Sequence, residues 1–342
     1  MSDSKKARNE KKQSALRKWK VVVTGASSKL AHSLLPLLVK KYNLVLLVRD
    51  KNKAKLARLP VGKVVEIDLE TASIADLRGV VRGADAIVNL AGLVDFTAPQ
   101  DKLFAVNAQA TCKLVTACEI EKVLNFVHCS SISVYGLPPV NATENAPLRP
   151  VTNYGKSKLV GEQCVKRSKL NWIALRPGVI YGPNYLADFR VLTKLLEKHR
   201  AAIIGKGDNH LPLVYETDVA SAFALALDSL RRGNKKVFRQ CFTIVSSPQP
   251  TQLQCYTAVK KVFGLAIPER YVSINVASLM LNAYTAVSAI LGGNKRTLSY
   301  DVLQVLAMNR LFDCSKAEKL LGWKAKIGIE KGLLALKGKL RD

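Results

Sequence analysis

Tyr154 and Lys158 stand four residues apart in the run Tyr154-Gly155-Lys156-Ser157-Lys158. On a helix that spacing puts both side chains on one face, one turn apart. A phenol ordinarily ionises near pH ~10, too high for a base at neutral pH. An ammonium beside it favours the phenolate and would lower that value. Upstream lies Cys129-Ser130-Ser131-Ile132-Ser133-Val134-Tyr135-Gly136, an apolar run that ends in serines. A Ser131 hydroxyl there could hydrogen-bond a substrate oxygen. Ser131, Tyr154 and Lys158 are therefore the candidate catalytic residues. They would move a proton to or from an alcohol while a nicotinamide exchanges hydride with the carbon that bears it.

Such chemistry needs a dinucleotide site, and the chain offers one in pieces. Thr24-Gly25-Ala26-Ser27-Ser28-Lys29-Leu30-Ala31 follows an apolar run and precedes a helical pattern. A tight turn there presents backbone N–H groups and a helix N-terminus to a pyrophosphate. The expected pattern is TGxxGxxG. Gly25 satisfies it, while Ser28 and Ala31 stand at the second and third glycines. Gly25, Ser28, Lys29 and Leu30 are candidate cofactor contacts. The second apolar run ends in Arg49, with Lys51, Lys53 and Lys55 close behind. Positive charge at that tip matches a 2′-phosphate, which favours NADP over NAD. Asp68 and Leu69 follow the third run, where a carboxylate could meet the adenine amine. Ala91, in Asn89-Leu90-Ala91-Gly92, and Asn107 follow the fourth. Pro177, in Leu175-Arg176-Pro177-Gly178-Val179-Ile180-Tyr181-Gly182-Pro183, opens a loop able to cover the nicotinamide. In Val214-Tyr215-Glu216-Thr217-Asp218-Val219-Ala220, Thr217 or Asp218 is expected to cap a helix.

The elements that must position these residues alternate. Strands are expected at 20–24, 43–48, 63–67, 86–90, 124–129 and 172–176, and helices at 29–41, from Asp50, at 101–120 and at 153–168. Strands apolar throughout, with helices between them, predict an α/β fold: a doubly wound parallel sheet covered on both faces. After Pro183 the alternation loosens. Helices are expected at 189–198, 217–229, 251–263, 315–321 and 329–340, with a strand at 242–245. The expected organisation is a basic tail over 1–18, a dinucleotide-binding Rossmann domain over 19–182, and a smaller mixed α/β substrate lobe over 183–342. Residues 213–231 are expected to pack back on the Rossmann domain.

Composition bounds the function. The 342 residues are 48% hydrophobic and 23% charged, which excludes a disordered, collagenous or coiled-coil chain. Lys and Arg number 53 against 26 Asp and Glu, a formal net charge of +27. The excess is spread along the chain, so it reads as a basic surface, and nucleic acid is not the expected partner. Seven cysteines without CxxC spacing suggest free thiols in a reducing compartment and no zinc site, and the four histidines form no metal-ligand pattern. The polar tail lacks a secretory h-region. The stretch Tyr271–Gly293 carries no charge but is interrupted by Ser, Asn and Thr. A core or surface helix is expected there rather than a membrane span. The expected location is cytoplasmic, with peripheral contact to an anionic membrane as an open alternative.

TGASSKLA, VNLAG, CSSISVYG, YGKSK, LRPGVIYGP and VYETDVA, in this order, resemble the extended short-chain dehydrogenase/reductase superfamily, which includes the NAD-dependent epimerases and dehydratases. Together with the 271–293 stretch, the segment NRLFDCSKA leading to LLGW is similar to the 3β-hydroxysteroid dehydrogenase-like branch. The resemblance implies an oxidoreductase that uses NADP or NAD. Tyr154 would be its acid/base, Lys158 would tune that tyrosine and hold the cofactor ribose, and Ser131 would polarise the substrate oxygen. Gly25, Ser28, Lys29, Leu30, Arg49, Asp68, Leu69, Ala91, Asn107 and Pro177 would line the cofactor. It also implies a small-molecule substrate and, by analogy, a homodimer. The leading expectation is interconversion of a hydroxyl and a ketone on an apolar, sterol-like substrate. A nucleotide-sugar epimerase or dehydratase with bound NAD is the alternative, and a non-catalytic dinucleotide-binding scaffold is the third.

Overall fold

The computed structural model describes residues 17–51, 62–96, 98–277, 279 and 307–339. In chain order the elements are β1 (Lys20–Thr24), α1 (Lys29–Leu38), β2 (Asn43–Val48), β3 (Lys63–Glu66), α2 (Ile74–Val81), β4 (Ala86–Asn89), α3 (Gln100–Phe104), α4 (Ala110–Ile120), β5 (Asn125–Cys129), α5 (Asn153–Arg167), β6 (Asn171–Pro177), β7 (Val179–Tyr181), α6 (Leu186–Glu197), β8 (Ile203–Ile204), β9 (Leu213–Tyr215), α7 (Glu216–Arg231), β10 (Gln240–Ile244), α8 (Gln252–Phe263), β11 (Tyr271–Val272) and α9 (Ile329–Lys337). The helix expected from Asp50 falls largely outside the described residues. So does most of the 271–293 stretch, of which 274–277 begin a helix.

Seven strands pair in parallel in the order β10-β6-β5-β4-β1-β2-β3. The doubly wound sheet is thus realised. Its core strands are apolar at every position because both faces are covered. Val21 and Val23 face α1 and α7 and pack with Leu34, Leu38, Phe223 and Leu227. Val22 faces the other way, onto Leu77, Leu114, Phe126 and Trp172. The order reverses between β1 and β4, which opens a crevice at the carboxyl ends of the strands. β10 lies well beyond Pro183 in sequence yet pairs with β6 as the sheet's last strand.

Two short parallel pairs, β7 with β9 and β8 with β11, build out the second lobe. α6, α8 and α9 share a separate core of Leu196, Val259, Val262, Leu333 and Leu336. Asp218 ties this part back to the sheet domain. It does not cap α7 as expected, since the residue before that helix makes no side-chain cap. Its carboxylate instead accepts the N–H groups of Lys326 (3.0 Å) and Ile327 (2.9 Å), while its carbonyl accepts from Trp323 Nε1 (2.9 Å). Two further expectations are corrected. The helix expected over 101–120 is broken into α3, a wide π-helical turn at Ala105–Gln109, and α4. Cys112 and Cys164 are not free thiols: they form a disulfide between α4 and α5, with their Cα atoms 5.3 Å apart.

A polar line crosses the sheet interior. Thr24 Oγ1 donates to Asn89 Oδ1 (2.6 Å), and Asn89 Nδ2 lies 3.3 Å from His128 Nδ1. His128 is fully buried and its Nε2 has no partner among the described residues. Burial, reinforced by the nearby Lys158 ammonium, pushes its pKa down to about 3. The folded chain therefore keeps this imidazole neutral while the unfolded chain protonates it below pH ~6.5. We expect stability to be full above that pH and to fall, at up to about 1.4 kcal/mol per pH unit, as pH drops from there toward about 3. Urea unfolding across this range should show the slope, and His128→Gln should flatten it.

Candidate active site

The carboxyl ends of β1, β4, β5 and β6 bring the candidate residues to one edge. Gly25 sits in the left-handed region at φ +62°, and a Cβ there would lie 2.8 Å from the backbone of Ala91. The turn after β1 and the end of β4 are thus in direct contact, and Ala91 N–H donates to Thr24 Oγ1 (3.1 Å). Ser28 occupies the second glycine position at φ −72°, where no glycine is required, and its hydroxyl caps α1 by accepting from Ala31 N–H. Ala31 is fully buried against the sheet. Lys29 and Leu30 open the helix, with Lys29 Nζ 5.0 Å from the Tyr185 ring. A left-handed glycine, a capped helix start and a small residue at 91 fit a pyrophosphate.

Arg49 lies exposed just past β2. Asp68 and Leu69 follow β3, but the Asp68 carboxylate accepts from Glu70 N–H (3.0 Å) and Leu69 packs on the core. Pro177 ends β6, paired with Ile244. Asn107 is buried within the π-helical turn. Its Oδ1 accepts from Leu93 N–H (2.8 Å), and its Nδ2 donates to Leu93 O (3.0 Å) and Ser157 Oγ (3.0 Å). It therefore locks the loop after β4 to α5, the helix that carries the catalytic pair.

Thr152 caps α5, its hydroxyl accepting from Gly155 N–H (2.9 Å). Tyr154 (7% exposed) and Lys158 (4% exposed) face inward from the helix toward Ser131 (8% exposed). The Tyr154 phenol is hydrogen-bonded to the Ser131 side chain, and the Phe96 ring stands edge-on to Tyr154 with centroids 5.3 Å apart. Lys158 Nζ donates to the Cys129 carbonyl. One expectation is corrected here. Burial raises the Tyr154 pKa, and the Ser131 hydrogen bond only partly opposes it. Lys158 does not lower it, because its ammonium is held at the Cys129 carbonyl. Burial likewise depresses the Lys158 pKa.

Sequence reasoning missed the support beneath this pair. Glu162, fully buried one turn beyond Lys158, accepts from Ser130 Oγ (2.5 Å), Arg176 Nε (3.0 Å) and Arg176 Nη2 (2.5 Å). Arg176 Nη1 donates to Tyr135 Oη (2.7 Å) and Glu144 O (3.3 Å), and Tyr135 Oη meets Thr243 Oγ1 at 2.9 Å. The guanidinium hydrogen bonds hold the Glu162 carboxyl below its usual range despite burial. The four-residue spacing 154–158–162 was the available signal, but a buried carboxylate is recognisable only once its arginine is placed.

The family described as NAD dependent epimerase/dehydratase matches residues 21–239 of this chain. The chain belongs to that family, an NAD-binding enzyme class with extended short-chain dehydrogenase architecture. It is 25% identical over 277 residues to N-acetyl-alpha-D-glucosaminyl-diphospho-ditrans,octacis-undecaprenol 4-epimerase of Escherichia coli O157:H7, covering 77% of this chain and 82% of that protein. It is 28% identical over 288 residues to 3beta-hydroxysteroid-dehydrogenase/decarboxylase isoform 1 of Arabidopsis thaliana, covering 76% of this chain and 64% of that one. Its fold matches UDP-glucuronic acid 4-epimerase from Bacillus cereus in complex with NAD, with a TM-score of 0.72 at 20% identity over 94% of this chain and 98% of the other. The relatives thus include both epimerases and hydroxysteroid dehydrogenases, and the steroid branch expected from the sequence is not singled out.

Glu162→Gln keeps the shape but removes the charge that answers Arg176, leaving a buried cation unpaired. Breaking a buried pair in this way costs about 3–5 kcal/mol. Chemical denaturation should show a loss of that size, with cofactor binding weakened in the population that remains folded.

Proposed function

We propose that this enzyme reversibly oxidises a secondary alcohol of a glycosyl diphosphate, in the manner of an epimerase or dehydratase. The observation that carries the reading is the buried Tyr154 phenol, hydrogen-bonded to Ser131 and one helical turn from Lys158, at the crevice where the strand order reverses. The family match and the 4-epimerase relatives support it. When bound, the nicotinamide supplies the hydride exchange at the reacting carbon.

The protein's own residues do the rest. Ser131 donates a hydrogen bond to the substrate oxygen and fixes its direction. Tyr154 takes the hydroxyl proton during oxidation and returns it during reduction. Phe96 walls one side of the phenol and keeps water from it. Lys158 sits close enough to hold ribose hydroxyls. Its charge favours the phenolate when it is drawn off the Cys129 carbonyl.

For the cofactor, we propose that Arg49 favours NADP. Its support is one exposed guanidinium at the tip of β2, the position from which a 2′-phosphate is recognised. A second substrate reading, an apolar alcohol such as a sterol, draws on the Phe96 ring against Tyr154 and on exposed Val94, Leu137 and Val179 in the loops at the same edge. The hydroxysteroid dehydrogenase/decarboxylase relative agrees with it.

Turnover assays with UDP-sugars and with 3β-hydroxysterols, each with NAD and NADP, separate these readings. Epimerised or dehydrated sugar supports the first, and ketone with stoichiometric reduced cofactor supports the second. In either case Tyr154→Phe should lower kcat by roughly 10²–10⁴-fold while cofactor affinity is retained. Unchanged turnover in that variant would rule out both readings. Arg49→Glu should weaken NADPH at least about tenfold, the cost of one lost charge-assisted phosphate contact, and spare NADH. Fluorescence titration of the two reduced cofactors reads this directly.

A further inference from the structure

Two arginines are almost wholly buried, and they are treated in opposite ways. Arg176 is 1% exposed and every part of its guanidinium is answered, by Glu162, Tyr135 and the Glu144 carbonyl. Arg310 is 2% exposed, and its guanidinium makes no hydrogen bond or ion pair with any described residue. The residue is held through its backbone, where Arg310 N–H donates to His210 O (3.3 Å). Burying a cation without a counter-charge is strongly unfavourable, and a chain under no other demand would replace it with an apolar side chain. Burial alone pushes the Arg310 pKa down, to about 10, so the group stays protonated at neutral pH.

Its place in the fold indicates what it serves. Residues 311–313 run alongside Ala142: Ala142 N–H donates to Leu311 O (3.0 Å), and Asp313 N–H donates to Ala142 O (2.9 Å). Residues two apart on a paired segment share a face. Phe312 packs on Ile132, Val134 and Tyr135, the turn that follows Ser131, with its ring 5.2 Å from that of Tyr135. Arg310, two residues earlier, lies on that same side, where the second lobe meets the loop after β5. His210, on its other flank, belongs to the segment joining β8 to β9. Pro212 of that segment accepts through its carbonyl from Val179 N–H (2.8 Å), just past the end of β6.

We infer that Arg310 is a specificity-determining residue of the second lobe, whose buried and otherwise unanswered guanidinium takes an oxyanion of the substrate, a phosphate or a carboxylate. The inference rests on reading the crevice as a site for an anionic glycosyl substrate, and it names the side chain that would select the anion. A planar guanidinium matches either oxyanion with paired hydrogen bonds.

The test separates this role from a structural one by the sign of the stability change. Wild type, Arg310→Met and Arg310→Lys are melted with saturating NAD present, first in an oxyanion-poor buffer and then with inorganic pyrophosphate or with glucuronate. Arg310→Met should melt at or above the wild-type temperature without oxyanion, because it removes an unanswered charge. Wild type should be raised by at least one probe, and Arg310→Met should need at least tenfold more of it. Arg310→Lys should fall between them. A response to pyrophosphate alone assigns the phosphate, and a response to glucuronate alone assigns the carboxylate. The inference is overturned if Arg310→Met melts well below wild type, or if both respond equally to each probe. None of these readouts requires turnover, so an enzyme that failed to epimerise sugars would leave the result interpretable.

Discussion

The Glu162 carboxylate is the contact on which the active edge depends. A helix laid across a parallel sheet has no intrinsic reason to stop at one register along the strands, because apolar packing is non-directional. The proposed chemistry needs that register fixed: Ser131 is carried by the end of β5 and Tyr154 by α5. Glu162 lies on the same face of α5, two turns beyond Tyr154, and grips Ser130 on one element and Arg176 on another. Ser130 is bonded on one side to Ser131 and on the other to Cys129, whose carbonyl receives Lys158. One carboxylate thereby fixes the helix against both strands that present the chemistry. On the other side of α5, Gly161 has no side chain to hold the helix off, since a Cβ there would fall 2.4 Å from the Asn107 carbonyl. The Cys112–Cys164 bond spans the same pair of helices.

This closeness sets the electrostatics. Tyr154, Lys158 and His128 are all buried, and burial acts on each in the direction of neutrality: the phenol is raised, and the amine and imidazole are lowered. Glu162 is the exception because its arginine outweighs its desolvation. Its charge also works back on its neighbours, favouring the protonated forms of Lys158 and His128. An active edge that holds cations beneath a neutral phenol, with its one buried carboxylate already engaged, is suited to ligands that bring negative charge with them.

The sheet was legible because its strands are buried on both faces, so that the apolar runs 20–24 and 43–48 match β1 and β2 residue for residue. Tyr154, Lys158 and Ser131 were legible for a related reason: a helix period and a strand end place them without reference to distant residues. What stayed hidden depends on partners far along the chain. The π-helical turn at Ala105–Gln109 has no period of its own to betray it, yet it is what seats Asn107 between Leu93 and Ser157. Cys112 and Cys164 stand 52 residues apart and show no spacing motif. Asp218 reads locally as a helix cap, and only the return of residues 326 and 327 shows what its carboxylate holds. Glu162 and Arg310 have the same character, since the meaning of a buried charge is set by what does or does not answer it.

The glycine-poor turn after β1 shows which parts of a motif are physical necessities. Three glycines are expected there, and they serve three separate ends, namely a backbone turn, room for a phosphate, and close packing of helix on sheet. Only the backbone turn demands glycine here. Gly25 holds a positive φ and leaves no space for a Cβ against Ala91. Close packing is met by Ala31, whose methyl group is fully buried beneath the helix. Room for the phosphate falls to Ser28, whose backbone is extended and whose hydroxyl turns back to cap α1 instead of projecting across the mouth of the turn. That cap consumes the N–H of Ala31, which lies deepest in the first helical turn, and leaves the N–H groups nearer the mouth for an anion. The departures from the pattern therefore keep an anion-binding helix start, at the expense of one donor that a phosphate at the mouth would reach least easily.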